Sequence, residues 1–234
     1  AEVRRRGRGT AVVIGGSIGG IAAAKVLTET FDNVIVLEKD GPHSRREGRP
    51  GAAQGWHLHH LLTAGQIELD RIFPGIVDDM VTEGAFKVDM AAQYRIRLGG
   101  EWKKPGTGDI EIVCAGRPLM EWCVRRRLDD EPRIGYRYES EVADLVYDRE
   151  NNAVIGVVVD RDGETEMVPA EFVVDASGKN TRVPEFLERN GIGAPEVEQD
   201  IINCFYSTMQ HRVPPERQWQ DKVMVICYAY RPSE

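Results

Sequence analysis

The stretch Val12-Val13-Ile14-Gly15-Gly16-Ser17-Ile18-Gly19-Gly20 decides how the chain begins to fold. A short apolar run from Thr10 to Ile14 ends in a glycine cluster, which is the pattern of a buried parallel strand. Helix-forming and small residues follow from Ile18 to Thr30, and a second apolar run, Asn33-Val34-Ile35-Val36-Leu37, ends in Glu38. Strand, glycine turn, helix and strand make one βαβ unit. Gly15 permits a sharp turn off the strand, and Gly20 lets the helix lie close against it. The position between needs a small residue so that backbone N–H groups can approach a pyrophosphate at the helix N-terminus. Ser17 stands where the G-x-G-x-x-G pattern has its middle glycine, and its hydroxyl is placed to add a hydrogen bond to a phosphate oxygen. Glu38, eighteen residues past Gly20, is placed to accept hydrogen bonds from ribose hydroxyls. The unit predicts a dinucleotide site and leaves the identity of the dinucleotide open.

The whole chain has 234 residues, 41% hydrophobic and 29% charged, which is the composition of a globular protein of one or two domains. Its net charge of -8 argues against nucleic acid as a partner, since phosphate backbones call for a basic face. The basic cluster Arg4-Arg5-Arg6-Gly7-Arg8 reads as a solvated tail. Four cysteines, Cys114, Cys123, Cys204 and Cys227, form no C-x-x-C and lie far apart. A disulfide framework or zinc site is therefore not expected, and a cytoplasmic location is. No apolar run reaches the length of a membrane span. The sequence carries no signal of oligomeric state.

Beyond the first unit, Gly41 to Gly55 is rich in Gly, Pro and Arg and reads as loop. Trp56 to Phe73 carries leucines at helical spacing and is predicted as a helix ended by Pro74-Gly75. Broken strand-like sequence from Val88 to Trp102 suggests an excursion from the first sheet. Arg117-Pro118 opens a helix running to about Asp130. Three hairpin strands follow, near Val142–Tyr147, Val154–Val159 and Thr165–Val168, turned at Asn151-Asn152 and Asp162-Gly163. Phe172-Val173-Val174-Asp175 is another buried strand, and a helix around Val183–Arg189 ends at Gly191. Cys204–Met209 and Val223–Tyr230 read as strands of another layer.

The segments "GGSIGG", "LEKD", "GRPGAAQGWHLHHLLTAGQIELDRIFPG", "GRPLMEWCVRRRL" and "VPAEFVVDASGKNTRVPEFLERNG" together resemble the N-terminal part of group A FAD-dependent monooxygenases. The likeness runs from about residue 10 to about residue 230. It is strongest to bacterial flavin hydroxylases and epoxidases of antibiotic and polyether biosynthesis, and "QG-x-H-x-H" is its most discriminating piece. The resemblance implies an α/β fold: an FAD-binding, Rossmann-like (glutathione-reductase-type) βαβ sheet with a β-meander, plus part of a mixed β-sheet substrate domain. It implies a discontinuous FAD domain at residues 8–85 and 111–192, with 86–110 and 193–234 belonging to the substrate domain. By the same resemblance Gly15, Gly16, Ser17, Ile18 and Gly20 would hold the FAD pyrophosphate, and Glu38 with Lys39 would lie at the ribose and adenosine. Arg46, in the loop after the second strand, would meet the adenine or a phosphate. Gln54 and His57 would lie near the isoalloxazine ring, and Arg117 would reach the diphosphate or ribityl chain. Val142 at the start of the meander, and Asp175 and Gly178 of the D-x-x-G segment, would complete the FAD site. Arg117 is poorly explained as a surface residue, because a helix N-terminus favours acids.

The function so implied is an oxidoreductase of secondary metabolism that takes NAD(P)H and O₂. Oxygen would be delivered through a flavin C4a-hydroperoxide to an aromatic or alkene small molecule, by hydroxylation or epoxidation. The flavin carries the difficult chemistry, so neither a catalytic triad nor an acid–base pair is expected. Three closely spaced histidines, His57, His59 and His60, would point in different directions on a helix, so metal is not expected. Other readings stay open: a flavin-dependent reductase of prenyl-type alkenes, or a truncated or non-catalytic FAD- or NAD-binding module. The sequence departs from the family at Lys179-Asn180-Thr181, where arginine, glycine and serine are usual, and at Gly51-Ala52-Ala53, which lacks a proline. No G-D-[AST] segment of the kind that binds the flavin ribityl chain follows residue 200. The isolated polypeptide is therefore expected to bind FAD weakly at best.

Overall fold

The computed structural model describes residues 8–42, 47–108, 110–161, 163–209, 211, 214–217 and 224–227. In chain order the regular elements begin with β1 (Arg8–Ile14), α1 (Ile18–Leu27) and β2 (Phe31–Leu37). A 3₁₀ segment (Pro50–Trp56) leads into β3 (Leu58–Leu61), α2 (Thr63–Ile72) and α3 (Ile76–Thr82). Next come β4 (Phe86–Asp89), α4 (Met90–Gln93), β5 (Tyr94–Leu98), β6 (Glu101–Trp102) and β7 (Glu111–Gly116). Then follow α5 (Arg117–Asp129), β8 (Ile134–Arg137), β9 (Glu141–Asp148), β10 (Ala153–Arg161) and β11 (Glu164–Pro169). The last are β12 (Phe172–Asp175), α6 (Val183–Arg189) and β13 (Met224–Cys227). The chain divides into two compact units, Ala1–Gly55 with Glu121–Phe205, and Trp56–Met120 with Tyr206–Glu234.

The first unit is built on a parallel sheet of order β12-β1-β2-β8. Strands buried on both faces need continuous apolar runs, and Ala11, Val12, Val13, Val34, Val36 and Leu37 are all at most 1% exposed. Val12 lies beside Ile35 on one side and Val173 on the other, so β1 is an inner strand. The antiparallel meander β11-β10-β9 supplies Val157, Val159 and Val168 to a core that includes Val12 and Leu37. Burying each such side chain stabilises the unit by roughly 1.5–3 kcal/mol. Gly156 sits where the β9–β10 register shifts, and a Cβ there would lie 2.5 Å from the Val168 carbonyl oxygen.

The second unit contains an antiparallel sheet of order β3-β7-β4 and a three-stranded sheet of order β13-β5-β6. Its core joins Val88, Tyr94, Ile112 and Cys114, with Met90, Ile96 and Ile226 against them. Asp89 caps α4 by accepting from the N–H groups of Ala91 and Ala92. The N–H of Gly108 binds the same carboxylate and, with those caps, holds it below the usual carboxylate range.

Two sequence expectations differ from this structure. Trp56–Phe73 is not one helix: Leu58–Leu61 forms β3, because its backbone pairs with Val113–Gly116 of β7, and the helix starts only at Thr63. Cys204–Met209 carries no regular structure, since a strand needs a neighbouring ladder and the described residues give it none. In the last predicted strand, Val223–Tyr230, only Met224–Cys227 are described, as β13 beside β5. Among the described residues no helix is long and apolar enough to cross a membrane.

Candidate functional site

The glycine turn is shaped by close backbone approaches. Gly15 has φ +96°, and a Cβ on it would lie 2.6 Å from the Ala176 carbonyl oxygen. A Cβ on Gly20 would lie 1.8 Å from the Gly15 carbonyl oxygen, so α1 can rise over the turn only with glycine there. Ser17 is the N-cap of α1, with extended backbone, but its side chain makes no cap bond to the helix. The first N–H groups of an α-helix have no intrahelical partner, and here no serine oxygen takes them.

Polar side chains brace the turn. Glu38, 3% exposed at the end of β2, accepts from the Gly16 N–H at 2.8 Å and from the Asp40 N–H at 2.9 Å. Arg49 folds back from the loop after β2 and donates through Nε to Glu121 (2.9 Å) and through Nη1 to Asp40 (2.7 Å). The same Nη1 lies 3.1 Å from Glu38. Glu121, on α5, is 2% exposed and also accepts from Ser17 Oγ (2.9 Å) and Arg125 Nη2 (3.0 Å). From β8, the Tyr136 hydroxyl donates to the Gly16 carbonyl at 2.7 Å. Buried charges persist only when paired and hydrogen-bonded, and this cluster of Glu38, Asp40, Arg49, Glu121 and Arg125 meets that condition.

Beside the turn lies a cavity of about 780 Å³, within the size range of small-molecule sites. Gly15, Gly16, Ser17, Glu38, Lys39, Gln54, Val142, Asp175 and Gly178 all line it, together with Arg49, Lys179 and Arg182. Asp175, paired with Ile14 where β12 runs beside β1, shapes the lining next to the turn, accepting from the Ser177 N–H at 2.8 Å and from the Thr181 hydroxyl. Arg182 donates to the Ala143 carbonyl at 3.1 Å and ties α6's start to β9. The lining suits a dinucleotide: a glycine turn at a helix N-terminus for a diphosphate, and a buried carboxylate whose Oε2 keeps a lone pair for a hydroxyl.

Other candidates stand elsewhere. Ile18 and Gly20 form the first turn of α1 and are not part of the cavity lining. Arg46 lies outside the described residues. His57 and Arg117 belong to the second unit. There His57 Nδ1 is 2.7 Å from Thr208 Oγ1, and Arg117 is the first residue of α5. His57 follows the 3₁₀ segment, and His59 and His60 lie in β3 rather than on a helix. His60 Nε2 lies 3.0 Å from the Tyr94 hydroxyl, and burial, then the neighbouring His59, lowers its pKa. No group of three or more His, Cys, Asp or Glu among the described residues could hold a metal ion.

Against proteins already known, no family model matches the chain. Protein Rv3254 of Mycobacterium tuberculosis is 33% identical over 215 residues, covering 87% of this chain and 45% of that protein. The FAD-dependent monooxygenase nscC of Neosartorya fischeri is 28% identical over 207 residues, covering 82% of this chain and 48% of that one. Among solved structures, PqsL, a probable FAD-dependent monooxygenase from Pseudomonas aeruginosa, superposes with a TM-score of 0.60 at 16% identity, covering 83% of this chain and 48% of PqsL. The p-nitrophenol 4-monooxygenase PnpA from Pseudomonas putida gives 0.59 at 18% identity, over 77% and 44%. This is the fold of the N-terminal part of FAD-dependent monooxygenases. The chain spans about half the length of the curated relatives it matches.

Within this monooxygenase fold, sequence reasoning missed Arg49, Glu121 and Tyr136. Arg49 sits in the same loop as Arg45 and Arg46, and spacing alone does not show which arginine returns to β2. Glu121 stands in a helix rich in charged residues, and what distinguishes it is its meeting with Arg49, Arg125 and Ser17.

Proposed function

We propose that this chain is the FAD-binding part of a monooxygenase that uses NAD(P)H and O₂ to oxygenate an aromatic or alkene small molecule. The observation that carries the reading is the first unit's cavity. It gathers the glycine turn, the carboxylate closing β2, the start of the meander and the Asp175–Gly178 segment around one space. Similarity to flavin monooxygenases over most of the chain supports it.

In this reading the diphosphate lies against the glycine turn at Gly15–Ser17, at the N-terminal end of α1, where the helix dipole favours negative charge. Glu38, already fixed by Gly16 and Arg49, accepts from the ribose hydroxyls of the adenosine half. Lys39 is exposed beside it and lines the same wall. Val142 and the apolar side chains around it exclude water, and Asp175 orders the lining next to the glycine turn through Ser177 and Thr181. Bound flavin supplies the redox chemistry with NAD(P)H and O₂; the protein's part is to bind, orient and shield it.

The test is the protein purified and supplied with FAD. Saturable FAD binding, weak as it is expected to be, together with O₂ consumption that depends on NADH or NADPH, supports the proposal. Oxidation of the nicotinamide coupled to reduction of a supplied prenyl-type alkene, without O₂ consumption, would instead indicate a reductase, and absence of flavin binding would refute the reading altogether.

A further inference from the structure

A serine hydroxyl has one proton to donate, and that of Ser17 is directed to Glu121 Oε2 at 2.9 Å. The other oxygen of Glu121 accepts from Arg49 and Arg125. Arg49 in turn reaches Glu38, whose second oxygen holds the Gly16 N–H. Adjacent positions of the turn are thus gripped by two buried carboxylates that one guanidinium joins. A serine at an N-cap ordinarily turns its oxygen onto the N–H of the second or third helical residue, but Ser17 makes no such bond.

We propose that Ser17 is a positioning residue. Its hydroxyl does not contact the phosphate of a bound dinucleotide; it anchors the turn, through Glu121 and Arg49, so that the backbone at the N-terminal end of α1 does. This rests on the dinucleotide reading above and replaces the expectation that the hydroxyl itself meets a phosphate oxygen.

The test compares wild type, S17A, E121M and the double variant, with ADP and adenosine as probes and amide hydrogen exchange of the ligand-free protein. Loss of the anchor in S17A speeds exchange over Gly16–Ile21 without any ligand. It also weakens ADP about fivefold to tenfold, the effect of one ordinary hydrogen bond, while adenosine binding stays within about twofold. In the E121M background, S17A has no further effect on ADP. Unchanged exchange in S17A overturns the proposal, as does the same loss of ADP affinity in both backgrounds, because a direct phosphate contact would behave that way. Should E121M fail to fold, the S17A exchange still decides between the two. If wild type binds neither probe, the functional reading fails, and the exchange result still decides whether Ser17 anchors the turn.

Discussion

The Tyr136 hydroxyl donates a 2.7 Å hydrogen bond to the carbonyl of Gly16, 120 residues earlier in the chain. β8 thereby reaches past its sheet partner β2 to the turn after β1. Burial pushes the phenol's pKa up, so the hydroxyl stays protonated and able to donate. Tyr136→Phe removes that donor and is expected to destabilise the protein by about 1–2 kcal/mol. Urea denaturation reads the loss.

Two adjacent glycines should respond in opposite ways. A Cβ on Gly20 meets the Gly15 carbonyl, whereas one on Gly19 meets nothing within 4 Å. Gly20→Ala is expected to cost about 2–3 kcal/mol through overpacking. Gly19→Ala, in the same helix, is expected to stabilise by roughly 0.5–1 kcal/mol. Thermal or urea denaturation of the pair measures the contrast.

Arg49 faces Glu38, Asp40 and Glu121 in a nearly dry site, with 7% of its side chain exposed. Arg49→Met leaves buried carboxylates short of a cation and is expected to cost about 3–5 kcal/mol. The Arg189–Asp144 pair is a useful control, because both side chains are substantially exposed. Arg189→Ala there should cost no more than about 1 kcal/mol.

Stability should fall on acidification through one identifiable carboxylate. Hydrogen bonds from Arg133, and then from Lys25, hold Glu131 down at about 2. Its folded pKa therefore lies below its unfolded value, and the stabilisation is complete above the ordinary glutamate range. It fades as the pH falls from about 5 toward about 2. Glu131→Gln is expected to flatten this limb of a stability-against-pH curve, with little change in slope above pH 6.

The parts of the fold that were legible in sequence are those where composition alone fixes the outcome. Val12–Ile14 and Val34–Leu37 are continuous apolar runs, and such runs suit strands covered on both faces. The meander followed from alternation between turn residues, and Arg117-Pro118 marked the start of α5. What was not legible depends on partners distant in sequence. Ile134-Gly135-Tyr136-Arg137 has too little apolar character to announce a strand, yet it pairs with β2. Leu58–Leu61 fits a helical spacing and becomes a strand because β7 lies alongside. For the site, Glu38 and the glycines were legible from local spacing. Arg49, Glu121 and Tyr136 were not, since their roles arise only when loop, helix and strand converge on the turn.

The central claim is that the first unit's cavity takes FAD, and a competitive titration tests it most directly. FAD is added to the protein while its flavin fluorescence is followed, and the complex is then challenged separately with ADP and with NAD⁺. The account predicts saturable one-to-one binding of FAD that ADP displaces, with NAD⁺ a much weaker competitor. No saturable binding of FAD, or NAD⁺ binding more tightly than FAD, would contradict it.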